Sequence, residues 1–107
     1  MHVQVIEYTY EGDLDGFTGA AEQLAPTIAA MDGFVAKLWL SGDGNRFGGV
    51  YLWRDREAAY SYEHSELFTA AISNSPNVSD LTISHYDLWA APTAITNGGL
   101  PMAGLGT

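Results

Sequence analysis

Four stretches of the sequence are rich in β-branched and aromatic residues and alternate in polarity, which predicts four β-strands. They cover residues 2–10, 34–40, 47–53 and 78–89. The second and third stretches are joined by the segment SGDGNR, whose two glycines are typical of the turn in an antiparallel hairpin. We therefore predict one hairpin in the middle of the chain, with one further strand on either side of it.

Two other stretches carry apolar residues three or four positions apart, which is the spacing of a helix with one buried face. The first covers residues 17–31 and contains Pro26, which is expected to kink this helix or to divide it into two pieces. The second covers residues 54–72, and Asp55 is a suitable N-cap at its start. Residues 90–107 contain two prolines and four glycines without periodicity and are predicted to be an irregular tail.

The order of these elements is β-α-β-β-α-β, the arrangement of a ferredoxin-like α+β fold. We predict a single domain over residues 1–89, with a four-stranded antiparallel sheet and both helices on one of its faces. The strands carry apolar side chains on both faces, so a lone chain would expose a broad apolar surface. A homodimer that pairs two sheets face to face would bury this surface. Residues 90–107 are then expected to reach onto the partner subunit as an arm.

The chain has 107 residues, no cysteine and a formal net charge of −9. The lack of cysteine excludes disulfides, thiolate metal sites and cysteine nucleophiles. The negative charge disfavours binding to the phosphates of nucleic acids and to anionic membrane surfaces. Since no apolar run approaches the roughly 18 residues of a membrane span, we expect a cytoplasmic protein.

Four short segments resemble, in their order and spacing, the YdhR-type mono-oxygenase family. They are AEQLAP (21–26), GFVAKLW (33–39), GGVYLW (48–53) and AYSYEH (59–64). That family belongs to the dimeric α+β barrel superfamily, which includes small mono-oxygenases that use no cofactor. The resemblance therefore implies the same barrel-like dimer that the two-faced strands predict, and an oxygenase activity without a cofactor.

His64 is a candidate catalytic base, because a histidine with an ordinary pKa near 6.5 can accept a proton at neutral pH. In a continuous second helix, Tyr60, His64 and Leu67 would lie on one stripe that faces the sheet. A histidine on such a stripe is either a hydrogen-bonded core residue or a base in a pocket. The family that this sequence resembles also has a histidine at the matching position, which favours the interpretation of His64 as a base in a pocket. Tyr60, one turn earlier, is then a candidate for substrate binding.

Lys37 and Trp39 alternate onto one face of the second strand. A lysine on an apolar face has to pair with an acid, reach solvent or contact a ligand. One prediction is a structural ion pair with Glu7 or Asp87. The alternative is that Lys37, together with Tyr51, stabilises an enolate or phenolate.

Gly48 and Gly49 lie in the third strand, where glycine weakens packing. Each of them removes side-chain volume from one face of the strand, which allows either a bulge and the close approach of a helix, or a cavity. The aromatic residues nearby, Trp39, Tyr51 and Trp53, favour a cavity that binds a planar organic molecule. We therefore predict Gly49, Trp39 and Trp53 as substrate-binding residues.

These residues together predict a small homodimeric mono-oxygenase that acts on a hydrophobic aromatic or quinol-like molecule. His64 is the expected base, and Lys37 with Tyr51 is expected to stabilise the anion that then reacts with dioxygen. We expect no metal and no other cofactor, since the spacing of His85 and Asp87 is a weak metal-binding pattern even with His64 added. Two alternatives stay open: a non-catalytic dimer that binds a small apolar ligand, and a polyketide cyclase or isomerase on the same scaffold.

Overall fold

The computed structural model describes residues 1–98, which form strands and helices in the order β-α-β-β-α-β followed by a short terminal helix. The strands are β1 (His2–Tyr10), β2 (Phe34–Gly42), β3 (Arg46–Trp53) and β4 (Val78–Asp87). The helices are α1 (Leu14–Ala29), α2 (Arg56–Glu63), α3 (Glu66–Phe68), which continues as a π-helical turn over Thr69–Ser73, and α4 (Ala90–Thr96). This order confirms the predicted ferredoxin-like α+β fold.

The four strands form one antiparallel sheet in the order β2-β3-β1-β4. β2 and β3 are joined by a short turn and pair along their length, which confirms the predicted hairpin. The central strand β1 shows the alternation that the sequence predicts, because His2, Gln4, Ile6 and Tyr8 are all buried on one face.

The hydrophobic core lies between this face of the sheet and the helices. It combines Ile6 from β1 and Trp53 from β3 with Ile28 from α1 and Tyr62 from α2. Residues from both helices thus pack on the same side of the sheet, which confirms the predicted arrangement of two layers.

Both predicted helices differ locally from the expectation. α1 is a single helix rather than two pieces, because Pro26 lies in its last turn and removes only one helical hydrogen bond. The second helix, expected to be continuous over residues 54–72, is instead broken after Glu63. Ser65 begins the next helix, since its hydroxyl accepts a hydrogen bond of 3.2 Å from the backbone N–H of Phe68.

The first part of the predicted tail is helical, so the expectation of an irregular segment from residue 90 is wrong. Pro92 lies in the first turn of α4, where the helix does not need its N–H. The Thr93 hydroxyl donates a hydrogen bond of 2.7 Å to the carbonyl of Trp89 at the start of the helix. The rest of the tail, residues 99–107, lies outside the described residues. Within residues 1–98, no helix is long and apolar enough to cross a lipid bilayer.

The sheet face opposite α1 and α2 is apolar and only partly covered. Leu38 on β2 and Tyr86 on β4 point to this side and are 50% and 58% exposed. Leu52 and Thr93 line a common cleft on this face, so α4 lies beside one end of it. A face with exposed leucine and tyrosine side chains is the surface that the predicted homodimer would bury.

Candidate active site

A cavity of about 350 Å³ lies between the helices and the sheet. Its wall is mainly aromatic and aliphatic, and its residues come from β1, β2, β3, α1, α2 and the α3 region. The residues that matter most for its chemistry are Tyr8, Phe17, Lys37, Trp39, Tyr51 and Tyr62. This volume lies within the range of small-molecule binding pockets, so the predicted cavity is present in the fold.

A second hollow of about 290 Å³ adjoins the first. The two share Tyr8, Phe17, Ala21 and Trp39 as common wall residues, and the second adds Phe47. Trp39 is 46% exposed and therefore lies at the rim of both hollows. An elongated, flat molecule with more than one ring would match two joined hollows of this kind better than a compact one.

Lys37 contributes a primary amine to the wall of the larger cavity. Its Nζ lies 3.2 Å from the centre of the Trp39 ring and 4.4 Å from the centre of the Tyr51 ring. Within residues 1–98, its amine makes no hydrogen bond to protein and no ion pair. Burial lowers the pKa of Lys37 from 10.5 to about 7. The ring faces attract the ammonium form of Lys37, but this attraction is weaker than the hydration that the ammonium loses on burial.

The predicted ion pair of Lys37 is therefore wrong. Lys37 pairs with Tyr51 across the β2–β3 ladder and points toward the helices, whereas Glu7 is exposed on the opposite face of the sheet. Asp87 is also exposed, and its carboxylate lies 3.9 Å from Nδ1 of His2. The sequence shows which residues alternate on each strand, but the pairing of strands decides which faces meet.

The two adjacent glycines in β3 have different structural roles, and Gly49 makes room for the side chain of Lys37. A Cβ atom at position 49 would lie only 2.6 Å from Cε of Lys37 and 3.0 Å from the Tyr51 ring. The missing side chain thus leaves room for the lysine stem to cross the strand. At Gly48 a Cβ would overlap the backbone carbonyl of Ile6, so this glycine allows β1 and β3 to approach closely.

Two tyrosine hydroxyls form a hydrogen-bonded pair in the cavity wall. The hydroxyls of Tyr51 and Tyr62 lie 2.8 Å apart, so one donates a hydrogen bond to the other. Burial, and then the neighbouring Tyr62, raises the pKa of Tyr51, and burial likewise raises that of Tyr62. Both hydroxyls therefore stay protonated at neutral pH. The tyrosine that accepts within the pair keeps its own O–H free to donate.

His64 does not lie on a stripe that faces the sheet, so that prediction of its position is wrong. It is exposed at the C-terminal end of α2, where its Nδ1 lies 2.8 Å from the carbonyl oxygen of Tyr60. The helix is interrupted at this point, and the stripe from Tyr60 to Leu67 therefore does not form. The signal was in the sequence, since Ser65 followed by Glu66 is typical of a new helix start. The role of His64 as a base stays a prediction, and the geometry places it outside the cavity.

The other predicted binding residues are divided between the cavity and its surroundings. Trp39 lines the cavity and Gly49 shapes it, as described above. Trp53 is fully buried in the core, and its Nε1–H donates a hydrogen bond of 3.0 Å to Gln4. Tyr60 stacks on the His85 ring at 4.9 Å between centroids, away from the cavity, and its hydroxyl accepts a hydrogen bond of 2.8 Å from Arg56. The structure thus brings Lys37, Tyr51 and Trp39 together, and leaves Trp53, Tyr60 and His64 out of the cavity wall.

A polar network next to the core was missed in the sequence. Glu63 Oε1 lies 2.7 Å from His85 Nε2 and accepts a hydrogen bond of 3.0 Å from the side-chain amide of Gln4. His85 Nδ1 in turn lies 2.8 Å from His2 Nε2. The available signal was the presence of His2 and Gln4 on the apolar face of β1, since buried polar residues need partners.

No group of three histidine, cysteine, aspartate or glutamate residues within residues 1–98 is arranged to hold a metal ion. His85 and Asp87 do share a strand face, but His85 contacts Glu63 and His2, and His64 lies outside that network. The cavity wall also contains Asp13, Tyr8, Tyr10 and Ser75. The Lys37 amine and the hydrogen-bonded hydroxyls of Tyr51 and Tyr62 are the candidate groups for chemistry on a bound molecule.

Comparison with known proteins bears on the family and on the fold. The sequence model of the family described as "Putative mono-oxygenase ydhR" matches residues 3–99, which confirms the resemblance noted from the short segments. Comparison with curated proteins finds no match.

Several solved structures share the fold. NE2512, a protein of unknown function from Nitrosomonas europaea, has 17% identity and a TM-score of 0.70, over 84% of this chain and 90% of that one. SnoaB, a cofactor-independent oxygenase from Streptomyces nogalater, has 18% identity and a TM-score of 0.65, over 81% of this chain and 91% of that one. A mutant of MhuD with two manganese protoporphyrin IX bound per active site has 14% identity and a TM-score of 0.63, over 83% of this chain and 95% of that one. At these identities the likeness shows a common fold.

Proposed function

The chain belongs to the family described as "Putative mono-oxygenase ydhR", and we propose that it is an oxygenase for a hydrophobic aromatic molecule, with Lys37 as its base. The substrate class is a flat, quinol-like or polycyclic compound that carries an acidic C–H or a phenol. The similarity in fold to the cofactor-independent oxygenase SnoaB supports this class of reaction.

The observation that carries the proposal is the unpaired amine of Lys37 in an aromatic cavity. Burial lowers the pKa of Lys37 to about 7, so about half of the molecules hold a neutral amine at neutral pH. A neutral amine can accept a proton from a bound acid, and a pKa close to the working pH is best for a general base. Lys37 thereby takes the role predicted for His64, which lies outside the cavity.

The proposed reaction converts a methylene group between aromatic rings into a carbonyl group. The Lys37 amine removes one C–H proton, and the carbanion gives electrons to dioxygen to form a C–O bond and a peroxide anion. The Lys37 ammonium protonates this anion to a hydroperoxide. The amine then removes the second C–H proton while the O–O bond breaks, and the leaving hydroxide gains a proton to form water. Carbon loses four electrons and dioxygen gains four.

This chemistry assigns no metal and no organic cofactor, because the substrate carbanion itself supplies the electrons. The protein has to stabilise the anion and exclude water. The Lys37 ammonium provides a positive charge beside the anion, and the Tyr51–Tyr62 pair has one hydroxyl free to donate a hydrogen bond. Trp39 and Phe17 offer ring faces for a flat substrate.

We also propose that the enzyme is a homodimer in which two sheets meet through their open faces. Leu38, Leu40 and Tyr86 are exposed on this side, and burying such residues is the main driving force for association. In this arrangement the cavity stays between the sheet and its own helices, so each subunit keeps a complete set of Lys37, Tyr51 and Trp39.

The test is dioxygen uptake with anthrone-like and quinol-like compounds, measured for the wild type and for Lys37→Met and Lys37→Arg. The wild type is expected to consume one dioxygen per substrate oxidised, with kcat/KM rising with pH through about 7 and then levelling off. Both variants should lose about 10²–10⁴-fold in kcat/KM, because neither has a neutral amine near this pH.

Full activity in Lys37→Met would contradict the role of Lys37 as base, whereas loss of activity in His64→Ala would restore His64 to that role. Conversion of the compounds without dioxygen uptake would identify a cyclase or isomerase that uses the same base. Tight binding without any turnover would identify a ligand-binding dimer.

A further inference from the structure

We propose that Lys37 is also a covalent binding site for apolar aldehydes, which it captures as an imine inside the aromatic cavity. This site is independent of oxygenase activity, because imine formation uses no dioxygen. The nitrogen of Lys37 attacks the carbonyl carbon to give a carbinolamine, which then loses the carbonyl oxygen as water. No oxidant or reductant takes part in the reaction.

The environment of Lys37 favours it as a nucleophile for three geometric reasons. Its amine lines the cavity and, within residues 1–98, is engaged by no carboxylate and by no protein hydrogen-bond partner. Its stem crosses Gly49, where even a methyl group would collide with Cε. Its nitrogen lies over the Trp39 ring at 3.2 Å, so the amine is held at the wall rather than extended into water.

The protonation state of the amine agrees with this geometry. Only a neutral amine attacks a carbonyl, and desolvated lysines in apolar pockets are the residues that form Schiff bases in enzymes. With a pKa of about 7, the neutral fraction of Lys37 at pH 7 exceeds that of an ordinary lysine on the order of a thousandfold.

The cavity determines which aldehydes fit. A cavity of about 350 Å³ with a mainly aromatic and aliphatic wall suits an aldehyde with one or two fused rings. It disfavours a charged aldehyde because Lys37 is the only cationic side chain in this wall within residues 1–98. The Tyr51–Tyr62 pair lines the same cavity, and its free O–H can donate a hydrogen bond to the hydroxyl that leaves the carbinolamine.

Labelling of this site can be assigned without ambiguity, since Lys37 is the only lysine in the sequence. The only other primary amine is the N-terminal one. Acidic residues separate the two, because Asp32 and Asp43 flank Lys37 whereas Glu7 and Glu11 follow the N-terminus. A protease that cuts at acidic residues therefore releases the two amines on different peptides.

The experiment incubates the full chain at pH 7 with 2-naphthaldehyde and sodium cyanoborohydride, which reduces any imine to a stable amine. Peptide mass spectrometry then measures labelling at Lys37 and at the N-terminus. We expect Lys37 to be labelled at least tenfold faster than the lysine of an unstructured peptide under the same conditions. The same protein treated with 4-formylbenzoate, which carries a carboxylate, is expected to be labelled at Lys37 at least fivefold more slowly than with 2-naphthaldehyde.

Two variants complete the design. Lys37→Met is expected to keep only the N-terminal label. Ala21→Phe, which fills the cavity and keeps the lysine, is expected to slow labelling by 2-naphthaldehyde but not by formaldehyde. Labelling of Lys37 no faster than the peptide lysine, or equal labelling by both aryl aldehydes, would overturn the proposal. Because these readouts need no turnover, absence of dioxygen uptake leaves them unchanged, and absence of labelling leaves the oxygenase proposal standing.

Discussion

The amine of Lys37 lies 3.2 Å from the centre of the Trp39 ring, two residues further along the same strand. This contact fixes the amine at the cavity wall, where it lies against aromatic rings and forms no ion pair within residues 1–98. An unpaired lysine in such a place costs folding free energy, because its charged form has lost water without gaining an anion. A residue that weakens the fold at this position is a strong candidate for function.

Replacing the amine should therefore make the protein more stable. At neutral pH, Lys37→Met is expected to raise the free energy of unfolding by roughly 1–3 kcal/mol, a range that allows for the partial exposure of the side chain. The folded-state pKa of about 7 lies below the unfolded value of 10.5, so the unfolded chain binds more protons between these pH values. The stability of the wild type consequently rises with pH in this window.

Urea unfolding of both proteins at pH 7 and pH 9 measures this effect. The advantage of Lys37→Met should shrink at the higher pH, because the free energy needed to remove the proton that the unfolded lysine carries falls as the pH approaches 10.5. A variant that is less stable than the wild type at pH 7, or an advantage that does not change with pH, would mean that Lys37 is stabilised by a partner.

A second prediction concerns the glycine beneath the lysine stem. Gly49→Ala should push the lysine away from the rings toward water, raise the pKa of Lys37 and cost about 1–3 kcal/mol through overpacking. Gly19→Ala in α1 is the matched control, since a Cβ there meets no atom within 4 Å. This control should add about 0.5–1 kcal/mol of stability, because alanine favours a helix over glycine. Equal effects of the two changes on stability and on dioxygen uptake would show that Gly49 does not shape the site.

The network of Glu63, His85 and His2 predicts a loss of stability in mild acid. Burial, and then the nearby His85 and Arg56, lowers the pKa of His2, while Asp87 acts in the opposite direction and the N-terminal amine adds to the lowering. The pKa of His2 in the folded protein lies below the unfolded value of 6.5. The contribution of His2 to the free energy of unfolding is therefore fully present above pH 6.5 and is lost as the pH falls below this value.

Thermal unfolding of the wild type and of His2→Gln between pH 7.5 and 5 isolates this contribution, since glutamine cannot titrate. The melting temperature of the wild type should fall more steeply below about pH 6.5 than that of the variant. Parallel curves would show that His2 keeps its ordinary pKa in the folded protein.

The proposed dimer has its own test on the open face of the sheet. Leu38→Glu places a charge where two subunits would meet and should produce a monomer at micromolar concentration, as measured by analytical ultracentrifugation. Leu14→Glu on α1 is the matched control, because Leu14 is 38% exposed on the helical side. A wild type that is already monomeric, or equal dissociation by both variants, would contradict association through this face.

Much of the fold could be predicted because alternation is a local property. The hairpin of β2 and β3 and the burial of Ile6 and Tyr8 both follow from residues that are close together in the sequence. Lys37 and Trp39 were likewise placed on one face from their spacing alone, and the predicted neighbour Tyr51 does lie beside them.

The wrong predictions concern the position of His64 and the partner of Lys37, which a regular pattern of apolar residues does not determine. The helical spacing from Tyr60 to Leu67 placed His64 inside, but Ser65 caps a new helix and leaves His64 at the end of the old one. The partner of Lys37 could not be predicted, because strand pairing decides whether Glu7 lies on the same side of the sheet.

The central claim is that Lys37 holds a neutral amine at neutral pH, and NMR can measure this at one site because the chain has a single lysine. Protein that carries lysine labelled with ¹³C at Cε gives one signal whose chemical shift follows the protonation of Nζ. A titration from pH 5 to 11 is expected to show a midpoint at about 7. A midpoint near 10.5, the ordinary value for lysine, would contradict the account.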